Sequence, residues 1–247
     1  MKIHLNRDQI IKQFLNPISR VSEECTINVT DKNLFTLVND ANKTTILFGK
    51  LNISTGLKDT ETVKLNIKDI NKLVRVLECI TSDQFDIEVD DNISILKYNS
   101  PDMSFKLHLV TDSVIKKCST SLDKLNKLTF SSEFNVTKEK LAEILKGSVF
   151  ANDTRKIYFF TKDKKVYAEL TDKTAQNIDS ITFCVTDTFT GNEITEPLPF
   201  SLEFFRMISS SKASVIKIKV NTTYKIIVFE ISDENSLFKY IISAFTK

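Results

Sequence analysis

Apolar and polar residues alternate along most of this chain, the mark of strands with one buried face. Candidate strands fall at 2–5, 25–30, 34–38, 44–53, 60–65, 85–90, 93–98 and 104–110. A second set falls at 128–134, 156–161, 165–171, 178–187, 194–199, 214–220, 224–231 and 237–245. Helical spacing interrupts this pattern in four short places. The first covers 6–16, where Asn6 can cap and Ile10, Ile11, Phe14 and Leu15 share a face, with Pro17 expected to end it. The second covers 66–80, capped by Asn66, with Ile67, Ile70, Leu73, Val74 and Leu77 inward. A third starts at Thr137 with Leu141, Ile144 and Leu145 inward, and Val136 with Leu141 forms a hydrophobic staple. The fourth starts at Ser201 and runs through Phe204, Phe205 and Ile208 to a stop near Ser210.

The order of elements repeats. Strand, helix, several strands, helix and three strands occur once, then again. The caps Asn6 and Thr137 are 131 residues apart, Asn66 and Ser201 are 135 apart, and Phe105-Lys106 precedes Phe238-Lys239 by 133. A near-constant offset across so many elements predicts a tandem duplication of one α+β domain. The boundaries are domain 1 at 1–112, a linker at 113–127 rich in Ser and Lys, and domain 2 at 128–247.

Composition narrows the function. Hydrophobic content of 41% with 27% charge excludes a disordered chain and a coiled coil. No apolar run approaches the roughly 18 residues of a membrane span, and the opening MKIHLNRDQ is charged where a signal peptide would be apolar. A cytoplasmic protein, with reduced thiols and no membrane partner, is expected (host-cell cytoplasm if viral). Cys25, Cys79, Cys118 and Cys184 form no CxxC pair, and His4 and His108 have no local ligand partner, so no metal and no cofactor are expected. Phosphate-loop, dinucleotide, nucleophile-elbow and metalloprotease motifs are absent from the sequence, and Asp90-Asp91 reads as a hairpin tip; no enzyme is expected.

The second helix carries the most suggestive surface. Lys68, Lys72, Arg75 and Cys79 fall on one stripe opposite its apolar face. The first helix presents Gln9, Lys12, Gln13 and Asn16, followed by Arg20. The third mixes Lys138, Lys140 and Lys146 with Glu139 and Glu143, and the fourth pairs Arg206 with Glu203. Lysine point charges without aromatic platforms suit a phosphate backbone and not base reading. The net charge is only +2, so a basic lining must be offset by acids elsewhere.

With the duplication and these stretches in view, the chain resembles the DNA sliding clamp family, most closely the three-subunit processivity clamps of T4-like bacteriophages. The likeness covers the whole chain and is carried best by IKDINKLVRVLECI at 67–80, NVTKEKLAEILKGS at 135–148, and LPFSLEFFRMISSSKASVIKIKVNTTYKIIVFEISD at 198–233. It implies an α+β fold of two tandem clamp-type domains, each with two short helices packed on antiparallel sheets. Three chains would then form a six-domain ring. The expected function is to encircle double-stranded DNA without sequence preference and tether a DNA polymerase, after an ATP-dependent clamp loader opens the ring. The DNA-facing residues are then Lys12, Arg20, Lys68, Lys72, Arg75, Lys138, Lys146 and Arg206. Subunit contacts in the homotrimer would join Phe105, Leu107 and Leu109 to Ile181, Phe183 and Val185. A partner pocket near the domain junction and C-terminus would use Val114, Ile115, Leu122, Leu125 and Phe245. Two other readings stay open: a β-rich phage structural protein of tail or baseplate, and a monomeric accessory protein that binds the polymerase.

Overall fold

The computed structural model describes residues 1–55, 57, 61–149, 155–174, 178–209 and 213–245. The expected strand start at Thr60 and helix stop at Ser210 lie outside these residues. The chain divides into two compact units. Unit 1 is Met1–Leu125 with Glu234–Phe238, and unit 2 is Asn126–Asp233 with Lys239–Lys247.

Unit 1 runs β1 (Lys2–Asn6), helix α1 (Gln9–Leu15 continuing over Asn16–Ser19), β2 (Cys25–Val29), β3 (Asn33–Asn39), β4 (Thr45–Asn52) and β5 (Val63–Ile67). Helix α2 (Ile70–Glu78) follows, then β6 (Gln84–Val89), β7 (Ile95–Asn99) and β8 (Ser104–His108). Two antiparallel sheets result, ordered β1-β6-β7-β8 and β4-β3-β2-β5. A five-residue helix, α3 (Leu122–Asn126), lies in the segment expected to be an irregular linker.

Unit 2 repeats this order. It runs β9 (Ser132–Thr137), α4 (Lys138–Gly147), β10 (Lys156–Lys162), β11 (Lys165–Leu170), β12 (Ile181–Thr186), a two-residue β13 (Thr190–Gly191) and β14 (Leu198–Ser201). It closes with α5 (Leu202–Ser209), β15 (Val215–Asn221), β16 (Ile226–Ser232) and β17 (Ser236–Ser243). Its sheets are ordered β9-β15-β16-β17, with β13 beside β9, and β12-β11-β10-β14. Element by element, both orders match those of unit 1. The duplication is therefore present in the topology, which the sequence offsets alone could only suggest.

Local chemistry explains where α1, α2 and α4 begin, and it corrects two expectations. Asn6 does accept the Gln9 N–H, at 3.0 Å. Pro17, however, does not stop α1. The first part of the helix is wound wide, with the Asn16 N–H reaching back five residues to Ile11, and regular winding restarts there. Pro17 thus falls in a first turn, where its missing N–H costs nothing. Helix α2 starts at Ile70, not at Asn66, because Asn66 is held in β5 opposite Thr26. Asp69, with an extended backbone, caps the helix by accepting the Lys72 N–H at 2.8 Å. Strand pairing has overridden the helical spacing here. In unit 2 the expected cap holds: Thr137 accepts the Lys140 N–H at 3.2 Å, and Val136 and Leu141 are both buried.

The two cores solve one packing problem with different residues. Unit 1 buries aliphatics, with Leu15, Ile18, Leu47, Leu51 and Ile70 fully covered around Phe14. Phe238, grouped with this unit, lies 6.5 Å from Phe14 between ring centroids, and a Cβ on Gly49 would come within 2.7 Å of its Cε1. Unit 2 instead packs aromatics tilted and edge to face, Phe205 lying 5.6 Å from Phe159 and 4.9 Å from Phe229. Phe205→Ala should accordingly cost about 3–5 kcal/mol in chemical unfolding, against about 1 kcal/mol for Thr137→Ala. An acid-limb measurement checks a separate feature. Hydrogen bonding from Lys156, at 2.7 Å, and from Thr174 holds the Asp172 carboxyl down to about 2. Its folded-state pKa is lowered, so its contribution is complete above the unfolded value of about 4 and is lost as pH falls toward 2. Asp172→Asn should flatten the loss of stability in that window.

Candidate nucleic-acid interface and docking surfaces

Helix α2 buries Ile70, Leu73, Val74 and Leu77 and leaves Lys72 and Arg75 exposed on its far side. Neither forms an ion pair among the described residues, although Glu78 is exposed on the flank of the same helix. Lys68 is not on this stripe. It precedes the helix, and its ammonium sits 2.6 Å from Glu24, whose side chain is only 8% exposed. The stripe expected at Lys68, Lys72 and Arg75 therefore reduces to two residues, because the helix begins two residues after Lys68.

The other expected cations are more nearly balanced. Lys12 pairs with Asp8 at 2.8 Å, and Arg20 is exposed just beyond α1. In unit 2, Lys140 pairs with Glu143 at 2.5 Å and Arg206 with Glu203, while Arg206 also lies 3.5 Å from the Ser148 hydroxyl. Lys146 is exposed and Lys138 half-buried. Exposed pairs of this kind stabilise little, but they cancel local potential. The strongest local excess of positive charge on a helix face is thus on α2.

Two strand edges stand out. Strand β8 pairs with β7 alone, and β12 with β11 alone, among the described residues. Phe105 and Leu107 are half-buried along one face of β8 and Leu109 is half-buried just beyond its end, with Phe105 stacked on Tyr98 at 5.7 Å. Ile181 and Phe183 are half-buried on β12, while Val185 is buried and belongs to the core beneath it. Phe183 reaches the end of α4, where Gly147 makes room for its ring: a Cβ there would lie 2.3 Å from Cζ. In the repeat, β8 occupies the place of β17, and β12 that of β4. Residues Glu234–Phe238, which lead into and begin β17, lie along β4 within unit 1. The Asn52 N–H donates to the Asn235 carbonyl at 2.7 Å, and Phe238 covers Gly49.

The expected partner residues are divided between the units. Val114 is 51% exposed, Leu122 and Leu125 are half-buried, and Ile115, at 6%, is buried and cannot line a surface. In unit 2, Phe245 is 46% exposed and its N–H donates to Pro199. Sequence reading missed Tyr224, 68% exposed in the β15–β16 turn, whose neighbour Lys225 accepts the Ala244 N–H. The available signal was a large aromatic in an otherwise polar turn.

The titratable groups are engaged structurally. Asp90 organises its hairpin by accepting from the Ser94 hydroxyl and the Ser94 and Ile95 N–H groups, each at 2.7 Å. Those bonds, led by the Ser94 hydroxyl, hold its carboxyl below the usual range. His4 shares Asp86 with Lys2 on an exposed sheet face. Among the described residues, no group of three or more His, Cys, Asp or Glu could hold a metal. None of their helices is long and apolar enough to cross a membrane.

Comparison with solved structures bears on the whole of this architecture. The chain superposes on the PCNA of A. fulgidus, in a structure with the C-terminal region of FEN-1 bound to it, with a TM-score of 0.77 at 18% identity. That match covers 100% of this chain and 98% of the other. Proliferating cellular nuclear antigen from Entamoeba histolytica gives 0.75 at 14%, covering 99% and 98%. A chain of the PCNA2–PCNA3 complex from Sulfolobus tokodaii gives 0.70 at 14%, covering 99% of each. The fold is that of a sliding-clamp subunit. No family model and no curated protein matches the sequence. At these identities the clamp likeness rests on the path of the backbone, over both domains and nearly the full length of each chain.

Thiol reactivity offers a direct check on this clamp-fold surface. Cys79 and Cys184 are exposed, whereas burial pushes the Cys25 thiol up to about 12 and raises that of Cys118. Titration of the native protein with Ellman's reagent should show two fast thiols, a slower Cys118, and a Cys25 that reacts only on unfolding. Fast labelling of Cys25 would contradict the core described above.

Proposed function

We propose that this chain is a DNA sliding clamp: three copies close into a six-domain ring around duplex DNA and tether a DNA polymerase. The observation that carries this reading is the edge chemistry of the repeat. Inside one chain, the residues leading into β17 cover β4, and β8 and β12 are the same two edges left bare among the described residues. Joining β8 of one copy to β12 of the next repeats a contact that the chain already makes with itself. Head-to-tail contacts of this kind close into rings when the rotation permits. A trimer, and kinship with clamps of T4-like phages, follow from the resemblance noted in the sequence.

Each domain of the proposed ring, 1–112 and 128–247 with the linker 113–127 between them, supplies one sixth of the circle. Lys72 and Arg75 provide the main DNA contact. Lys12, Arg20, Lys138, Lys146 and Arg206 add a weaker background, and Lys68 shares its charge with Glu24. Such contacts are screened over about 8–10 Å of salt solution, so topology does the holding while DNA slides. Phe105, Leu107 and Leu109 meet Ile181 and Phe183 at the seam, above the buried Val185. Val114, Leu122 and Leu125 of unit 1 and Phe245 of unit 2 take apolar peptide segments of the polymerase and of an ATP-dependent loader, Ile115 serving from beneath. Binding of the C-terminal region of FEN-1 to A. fulgidus PCNA supports a peptide-docking role for this fold. The clamp itself catalyses nothing and acts in the cytoplasm, that of the host cell if the chain is viral.

Two measurements test the reading. The particle should have three times the 28.2 kDa chain mass, and Leu107→Pro or Thr182→Pro should lower it without loss of far-ultraviolet circular dichroism. After loading, wild type should stay on nicked circular DNA and leave when the circle is cut. Lys72→Ala with Arg75→Ala should shorten residence roughly three- to tenfold at low salt. A particle that stays monomeric, or equal retention on circular and linear DNA, would falsify the ring; a β-rich structural protein predicts no DNA retention at all.

A further inference from the structure

In unit 2 the sheet β12-β11-β10-β14 buries Phe159 and Ala168 on one face. Alternation turns Tyr158 and Phe160 of β10, and Tyr167 and Glu169 of β11, to the opposite face. The register makes them two cross-strand pairs, Tyr158 opposite Glu169 and Phe160 opposite Tyr167. The Phe160 and Tyr167 rings are stacked, with centroids 5.6 Å apart. Two paired strands thus hold a square of three rings and one carboxylate.

An ammonium already sits on it. Lys173, in the irregular segment after β11, holds its Nζ 5.0 Å from the Tyr158 ring centre and 5.8 Å from that of Phe160. The same Nζ lies 2.7 Å from a Glu169 carboxylate oxygen. The ring faces attract a cation through their quadrupoles, and the carboxylate attracts it through a charge-assisted hydrogen bond. Lys219, the other cation over a ring among the described residues, meets Phe130 alone.

Receptor and occupant are held with different firmness. Tyr158 is 4% exposed and the Glu169 side chain 19%, both on paired strands, whereas the Lys173 side chain is 43% exposed. The backbone beside Lys173 is fastened separately, because Asp172 pairs with Lys156 at 2.7 Å and accepts the Thr174 N–H at 3.0 Å. Rotation of one side chain therefore vacates the square and leaves the segment and the sheet in place.

We propose that this face of β10 and β11 is a binding site for an alkylammonium group, with Lys173 as its built-in occupant, displaced by a lysine-type side chain of a partner protein. Glu169 needs an N–H to accept, and the rings favour carbon next to the charge. A dimethylated lysine has both. A trimethylated lysine has no N–H left to donate, and an acetylated lysine has no charge. Self-occupancy lowers the apparent affinity for an outside cation by the fraction of molecules in which the square is open. The site uses none of the residues assigned to the ring, so it stands whether or not the ring forms.

The test uses the full chain, with Tyr and Phe rings labelled with carbon-13, and N-acetyl-dimethyl-lysine amide as the probe. Saturable shifts of the Tyr158 and Phe160 ring resonances should appear at roughly tenfold lower probe concentration in Lys173→Ala than in wild type. Lys173→Gln should behave like Lys173→Ala, and far-ultraviolet circular dichroism should be unchanged in both. Adding Glu169→Gln or Phe160→Leu to Lys173→Ala should weaken binding at least fivefold, and N-acetyl-acetyl-lysine amide should not bind. No saturable shift in Lys173→Ala, or equal binding of the acetylated probe, overturns the site. Equal affinity of wild type and Lys173→Ala overturns the role of Lys173 as occupant.

Discussion

A strand at the edge of a sheet presents unpaired N–H and C=O groups that must be covered, blunted or joined to another strand. This chain contains one supersecondary unit twice, and so has the same edge to satisfy twice. At β4 the solution is internal: the Asn52 N–H is met by Asn235, and Gly49 is left without a side chain so that Phe238 can lie on it. At β12 the corresponding edge has no partner among the described residues, and β8 stands in the same condition. The rest of the proposed account, a ring with helices turned to DNA and a linker turned to partners, depends on how those two edges are used.

The duplicated units agree in strand order and differ in almost every side chain. Aliphatic packing in unit 1 and aromatic packing around Phe205 in unit 2 fill cores of the same topology, as expected where total volume and patterning matter more than identity. Surface charge has diverged further. On α4 and α5 Lys140 and Arg206 each have an acid three residues away, whereas Lys72 and Arg75 on α2 pair with none among the described residues. A ring of such chains would alternate strongly and weakly positive domains around its hole, which suits loose, sliding contact better than a continuous tight belt.

Much of the fold was legible because its signals are local. Alternation marked the strands, Thr137 and the Val136–Leu141 staple marked α4, and the repeated order revealed the duplication. Most of the misreadings involve long-range partners. Asn66 looked like a helix cap until β2 claimed its backbone and Asp112 its side chain; Lys68 looked like part of a helical stripe until Glu24, 44 positions earlier, took its charge. Pro17 looked like a stop because the wide turn that accommodates it leaves no trace in composition. Ile115 and Val114 are equally apolar neighbours, and only the tertiary path separates the buried one from the exposed one. The edges at β8 and β12 were readable through position in the repeat, which is a topological argument and needs no side-chain detail.

The most direct test of the central claim, that those two edges join between copies, is an image of the purified particle. Negative-stain electron microscopy at micromolar protein should show closed rings of six similar lobes around a hole wide enough for duplex DNA. Separate two-lobed particles, or open chains that never close, would contradict it.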